Sequence, residues 1–253
     1  MNIEEFQTHC RYLKKIHDDL NTYENNQKLL EYCRSVYREN KDTMNDRDLE
    51  VVLGEYYDAL IFEETPDEWK EVNLQREAVY RRLAATSFGQ YGRRWAYALE
   101  ALVDNRDPAS LQYYEKSIAV YERLKREYNE ANIDRTLAEC YDCTSNFCDI
   151  HEMYEKAIEY NNKALELYST FNCDETDNLY NIGVCYHQNG ESYISLGKYD
   201  KAKECLSKAV EIFNQIKAID IKQRPIDHYG VYIELSMRFL KSIQRLESIK
   251  SRT

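Results

Sequence analysis

An aliphatic residue followed by an aromatic one, late in a helical stretch, recurs five times in this chain: Val36-Tyr37, Val79-Tyr80, Val120-Tyr121, Leu167-Tyr168 and Ile212-Phe213. Successive aromatics lie 43, 41, 47 and 45 residues apart. A unit of that length is too small to enclose a core, so it buries its apolar face only against its neighbours, and the pattern predicts stacked repeats. The segment Tyr154 to Tyr168 aligns without gaps on Tyr199 to Phe213, placing Ala157 and Ala164 over Ala202 and Ala209. Alanines seven residues apart share one helical face, where small side chains let a partner helix approach closely.

Local signals predict two helices per repeat. Thr65-Pro66-Asp67-Glu68 offers a capping threonine, a proline in the first turn and a glutamate able to reach back to the cap; Asp107-Pro108 repeats the device. With 3 prolines and 7 glycines in 253 residues, and no hairpin signal flanked by alternating apolar residues, strands have little support. Asn189-Gly190 sits in an unbroken helical pattern, so its glycine reads as a small helix residue. About eleven helices are expected: pairs over 1–40, 46–86, 89–128, 133–170 and 174–217, then a closing helix over 227–249. That helix carries Tyr232, Leu235, Phe239, Ile243 and Leu246 near one face to cover the final repeat. No Ser-, Gly- or Pro-rich linker interrupts the chain, which is expected to form one continuous domain.

Leu53-Gly54-Glu-Tyr-Tyr57 and Asn189-Gly190-Glu-Ser-Tyr193, together with the spaced alanines, resemble the tetratricopeptide repeat family. The resemblance is full only over residues 133 to 217. In the third unit Ser110 and Ser117 stand where alanines are expected, and the first two units keep mainly the aliphatic-aromatic phrase. The repeats also exceed the family's length of about 34 residues. The resemblance implies an all-α fold, an α-solenoid wound as a right-handed superhelix from about five helix pairs plus a C-terminal capping helix. It also implies a concave groove lined by the first helix of each repeat.

Composition narrows the functional classes. A net charge of −11 disfavours nonspecific nucleic-acid binding, which relies on cations neutralising phosphates. No apolar run approaches the length of a membrane span, no basic-then-apolar leader opens the chain, and the 8 scattered cysteines suit buried thiols; a cytoplasmic protein is expected. The 23 tyrosines read first as rigid packing residues with a polar tip. The one dense basic patch combines Arg81, Arg82, Arg93 and Arg94, where pairing with nearby glutamates is weighed against an acidic partner.

Three constellations suggest chemistry. Cys140, Cys143, Cys148 and His151 have zinc-ligand types, but a continuous helix rising 1.5 Å per residue separates the outer two by about 16 Å, whereas zinc holds its ligands within about 2.3 Å. His17-Asp18 with His9, His151 and Asp227-His228 suggests a metal-dependent phosphohydrolase, yet these residues fall in different repeats. Cys140 and Cys143 alone lack the strand-to-helix setting of a redox pair. With no phosphate-binding loop or nucleophile motif either, no catalysis, metal or cofactor is expected.

The expectation is therefore a non-catalytic scaffold or adaptor that binds a protein or peptide segment. The alternative is a peptide-sensing regulator acting through a protein partner, and a homodimer through a terminal unit is left open. Carried over residue by residue from Gly54, Gly190 and Ala157, the resemblance puts Glu55, Asp58, Asp142, Asn146, Asp149, His187 and Glu191 on the groove, with Trp95 either there or in packing. The implied groove is acidic and short of cations, so its expected partner is basic and hydrophobic.

Overall fold

The structure, a computed structural model, describes residues 2–20, 22–61, 65–129, 132–171, 176–220 and 230–250. Among the described residues there are eleven α-helices and no strand: α1 (Ile3–Leu20), α2 (Thr22–Asn40), α3 (Asp46–Leu60), α4 (Pro66–Thr86), α5 (Phe88–Glu100), α6 (Leu111–Tyr128), α7 (Ile133–Ile150), α8 (Tyr154–Tyr168), α9 (Thr176–Ser195), α10 (Tyr199–Asp220) and α11 (Gly230–Lys250). The fold is an all-α repeat solenoid. The first three residues of the expected closing helix, 227–229, lie outside the described residues.

The chain divides into two compact units, 1–129 and 130–253. In the first, α1 packs on α2, α2 on α3, and so on to α6; in the second the same succession runs from α7 to α11. The aliphatic-aromatic phrase explains the packing. Tyr121, Tyr168 and Phe213 are among the most deeply buried side chains, and Ala157, Ala164, Ala202 and Ala209 are wholly inaccessible. Fully burying one such aromatic stabilises a fold by roughly 1.5–3 kcal/mol, so the repeated phrase is a major term in each unit's stability. Helix α11 closes over the last pair by laying Tyr232 and Ile233 on the cluster of Ala209, Phe213 and Ile216, and Phe239 and Ile243 on Ala202 and Leu206.

The two glycines that carry the resemblance differ physically. A Cβ added at Gly190 would lie 2.6 Å from Leu206 Cγ, so α9 and α10 approach closely because residue 190 has no side chain. One added at Gly54 would meet nothing within 4 Å. In the aligned repeat Ser145 stands in place of Gly190 and Asn161 in place of Leu206, and the serine Oγ donates to Ala157 O at 2.8 Å. The tight glycine contact of α9 with α10 is thus replaced between α7 and α8 by a hydrogen bond from serine to the facing backbone.

The turns inside these two repeats also match. Met153 N donates to Cys148 O and Lys198 N to Tyr193 O, each at 2.8 Å, wrapping the end of the preceding helix. Both turns need a left-handed residue, supplied by Glu152 (φ 58°) and Gly197 (φ 69°). The glutamate bears a conformational cost of about 1–2 kcal/mol that the glycine does not.

The capping expectations are partly corrected. Thr65 makes no side-chain capping bond, and Glu68 turns away from it to take Arg34 and the hydroxyl of Tyr56. Asp107 does cap, accepting from Ala109 N at 2.9 Å, but it opens a short 3-10 turn, Pro108–Ser110, that leads into α6. Asn45 caps α3 by accepting from the backbone of Arg47 and Asp48, both at 3.0 Å. No helix among the described residues is long and apolar enough to cross a membrane.

Candidate functional site

The carboxylates expected on a groove fall in both units, and their surroundings differ. In the first unit, Lys14 on α1 reaches across to α3 and pairs with Glu55 at 2.8 Å and Asp58 at 3.4 Å. The expectation of few compensating cations therefore does not hold there. Trp95 Nε1 donates to Glu77 on α4 at 2.9 Å, and its ring lies perpendicular to that of Phe88, earlier on α5, so its polar tip is taken up between α4 and α5.

In the second unit the three expected residues of α7 are bound to α9 by hydrogen bonds from uncharged donors. Cys185 Sγ lies 3.9 Å from Asp142 Oδ1, Gln188 Nε2 donates to Asn146 Oδ1 at 2.6 Å, and Ser192 Oγ donates to Asp149 Oδ1 at 2.8 Å. Asn161 on α8 donates to Gln188 Oε1 at 3.2 Å and orients that amide. Donors at 185, 188 and 192 meet acceptors at 142, 146 and 149 because three- and four-residue steps keep each set on one helical face. The rungs leave these carboxylates without a cation: among the described residues no lysine or arginine forms an ion pair with Asp142, Asp149 or Glu191.

Burial pushes the Asp142 carboxyl up to about 6, against the smaller downward pull of the Cys185 thiol, and Glu139 adds to the rise. Glu191 is also raised, first by burial and then by the charge of Asp149. His187 is not an open contact residue. Only 3% exposed, its Nδ1 lies 2.8 Å from Ser236 Oγ on α11, and its ring packs against Tyr232 and Phe239. Burial lowers its pKa to about 4, so the ring is neutral, with Nε2 3.7 Å from Glu191. Helix α11 thus covers part of the face on which histidine was expected.

Beside the rungs, Cys143, Asn146 and Ile150 are exposed along α7, and Ile150 is 65% accessible. This gives the second unit an apolar spot next to uncompensated carboxylates.

Three of the four arginines of the alternative basic patch pair with carboxylates. Arg82 grips Asp46 at 2.6 Å, Arg94 pairs with Glu50, Arg81 lies 3.8 Å from Glu77, and Arg93 is not free either. The zinc constellation needs a break in its helix, and α7 runs continuously from Ile133 to Ile150, with Cys140 and Cys148 buried and Cys143 exposed. The side chains of His17 and Asp18, and all of Asp227 and His228, lie outside the described residues; His9 belongs to the first unit and His151 to the second.

Sequence reasoning missed the partners, above all Lys14, Gln188, Ser192 and Ser236. A usable signal exists: complementary polar pairs one repeat apart. Lys14 with Asp58 and Glu50 with Arg94 are separated by 44 residues, Asp149 and Ser192 by 43, and Asn146 and Gln188 by 42.

The comparisons with known proteins agree with this architecture. Residues 185–216, from the middle of α9 through most of α10, match the family model described as a tetratricopeptide repeat. Among solved structures, the nearly identical tetratricopeptide-like repeats of a Podosopora anserina protein assigned as a kinesin light chain superpose with a TM-score of 0.51 at 13% identity. That match covers 88% of this chain and 99% of the other. The MamA protein gives 0.46 at 14% identity, over 86% of this chain and 96% of its own. No curated protein sequence matches significantly. The chain carries a tetratricopeptide repeat within a fold of that type, and proteins built this way are generally non-catalytic scaffolds for protein interaction.

Proposed function

We propose that this chain is a scaffold whose second unit receives a protein segment carrying lysine or arginine beside an apolar residue, along the face shared by α7 and α9. One observation carries the reading. Asp142, Asp149 and Glu191 are gathered on two helices; a thiol and a hydroxyl hold the first two, and Glu191 lies 3.7 Å from a buried neutral imidazole. Uncharged donors orient carboxylates without cancelling their charge, so the face retains a field that attracts cations. The exposed Ile150 beside Asn146 supplies the apolar half of the contact.

An array of random twelve-residue peptides tests it. Peptides retained by the full chain should be enriched in Lys or Arg next to an apolar residue, and their binding should weaken as salt rises. The Asp149→Asn, Glu191→Gln variant should lose about tenfold in affinity while keeping its helical content, since both groups are partly exposed. Asp142 is left intact because it is tucked between the helices. Enrichment of acidic peptides, or equal binding by the variant, sinks the proposal.

A further inference from the structure

The first unit holds a polar cleft of about 520 Å³ between α2 and α4. Its floor is made by Tyr37 and Tyr56, whose ring centroids lie 5.7 Å apart, and by Val72. One side is closed by the Arg34 guanidinium, which grips both oxygens of Glu68 at 2.7 Å while the Tyr56 hydroxyl donates to the same carboxylate. Arg34 and Glu68 are thereby satisfied by each other and are part of the wall.

The rims are different. The end of α2 presents Arg38 and the turn after it Lys41, three residues on, while the first turns of α4 present Asp67 and Glu71, one turn apart; all four are exposed. None of the four makes an ion pair among the described residues, and Lys41 instead lies 5.7 Å from the Tyr37 ring centre. Other charges in this unit do pair, as Lys14 does with Glu55 and Arg82 with Asp46. Here two cations and two anions line one open cleft, the cations at the end of α2 and the anions on α4.

We propose that this cleft binds a small zwitterion of the free amino acid or dipeptide class, its carboxylate on Arg38 and Lys41 and its ammonium on Asp67 and Glu71. A cation alone would be attracted to one rim and repelled by the other, and so would an anion. Only a ligand carrying both charges gains at both rims, and the cleft volume lies in the range of small-ligand sites. Tyr37 and Tyr56 are buried, so they close the floor of the cleft and recognition rests on the two charged rims. The site is independent of the α7–α9 face and does not rest on it.

Isothermal titration of the full chain with the dipeptide Gly-Tyr provides the test. Saturable binding is expected, weakened about tenfold or more by acetylating the amine or amidating the carboxylate, since either change removes one charged contact. The Arg38→Gln, Lys41→Gln pair and the Asp67→Asn, Glu71→Gln pair should each weaken binding by a similar factor at an unchanged melting temperature. No saturable binding of free Gly-Tyr overturns the proposal, as does indifference to either blocking group or to either variant pair. Tighter binding of the doubly blocked peptide Ala-Lys-Glu-Ala also overturns it, and would make the cleft a docking point for a protein segment.

Discussion

The two units solve one packing problem with different chemistry. In the first, successive first helices are tied by ion pairs, Lys14 with Glu55 and Asp58 between α1 and α3, and Arg94 with Glu50 between α5 and α3. In the second, the equivalent links are uncharged on the α9 side: Cys185, Gln188 and Ser192 on α9 donate to α7, and His187 on α9 shares a hydrogen bond with Ser236 on α11. An ion pair fixes the register of two helices and neutralises the face. A hydroxyl or amide on a carboxylate fixes register too, but leaves the charge outstanding. The same fold therefore yields a compensated face in one unit and an uncompensated acidic one in the other, which is why the second is the better candidate for receiving a cationic segment.

The largest effect that would break this comparison comes from the close approach that only the second unit makes at its signature glycine. Gly190→Ala should destabilise the protein by about 2–3 kcal/mol in denaturant unfolding, because the new methyl lies within 2.6 Å of Leu206 Cγ rather than at the free end of a side chain. Gly54→Ala should be neutral or stabilise by up to about 1 kcal/mol, since its site is open and alanine is the better helix former. Similar losses at both positions would show that residue 54 is packed as tightly as residue 190, contrary to the open space around Gly54.

The next effect is smaller and concerns sign. Glu68 is held down chiefly by its bond to Arg34, so its ionised form contributes stability that is present above the ordinary glutamate range and lost as pH falls. Asp142 is raised to about 6, so the folded state binds its proton more tightly than the unfolded state between about pH 6 and the ordinary value near 3.8. Ionised Asp142 thus lowers stability at neutral pH, and stability is regained as pH falls through that window. Asp142→Asn should stabilise by about 1–3 kcal/mol at pH 7, with the difference from the parent closing towards pH 4. His187, whose lowered pKa works in the opposite direction, is present in both proteins and cancels in the difference. Destabilisation by Asp142→Asn at pH 7 would mean that the thiol bond outweighs the cost of burying the charge.

Much of the fold was legible because it is written in short-range pattern. The phrase ending in Tyr168 and Phe213 and the alanines at 157, 164, 202 and 209 report their own burial through helical spacing. The site was less legible because its geometry is made one repeat away. Nothing local tells Glu68 to leave Thr65 for an arginine 34 residues earlier, or places Ser236 and Tyr232 over His187. Gly54 shows a further limit: it satisfies the family phrase, yet the space that makes glycine necessary at residue 190 is not constrained there.

The smallest effect sharpens the comparison most directly. Lys14, Glu55 and Asp58 are all partly exposed, so removing the lysine charge with Lys14→Gln should cost less than about 1 kcal/mol, in line with surface ion pairs generally. What it changes is charge. Glu55 and Asp58 would be left without their cation, and the α1–α3 face would take on the character that the α7–α9 face already has. If outstanding carboxylate charge governs which face attracts a cationic segment, the Lys14→Gln variant should bind the Lys- and Arg-containing peptides a few-fold more tightly at low salt, with the gain vanishing as salt is raised. A gain that survives high salt, or no gain beside an unaltered melting temperature, would show that attraction depends on the particular rungs of α7 and α9 and not on uncompensated charge as such.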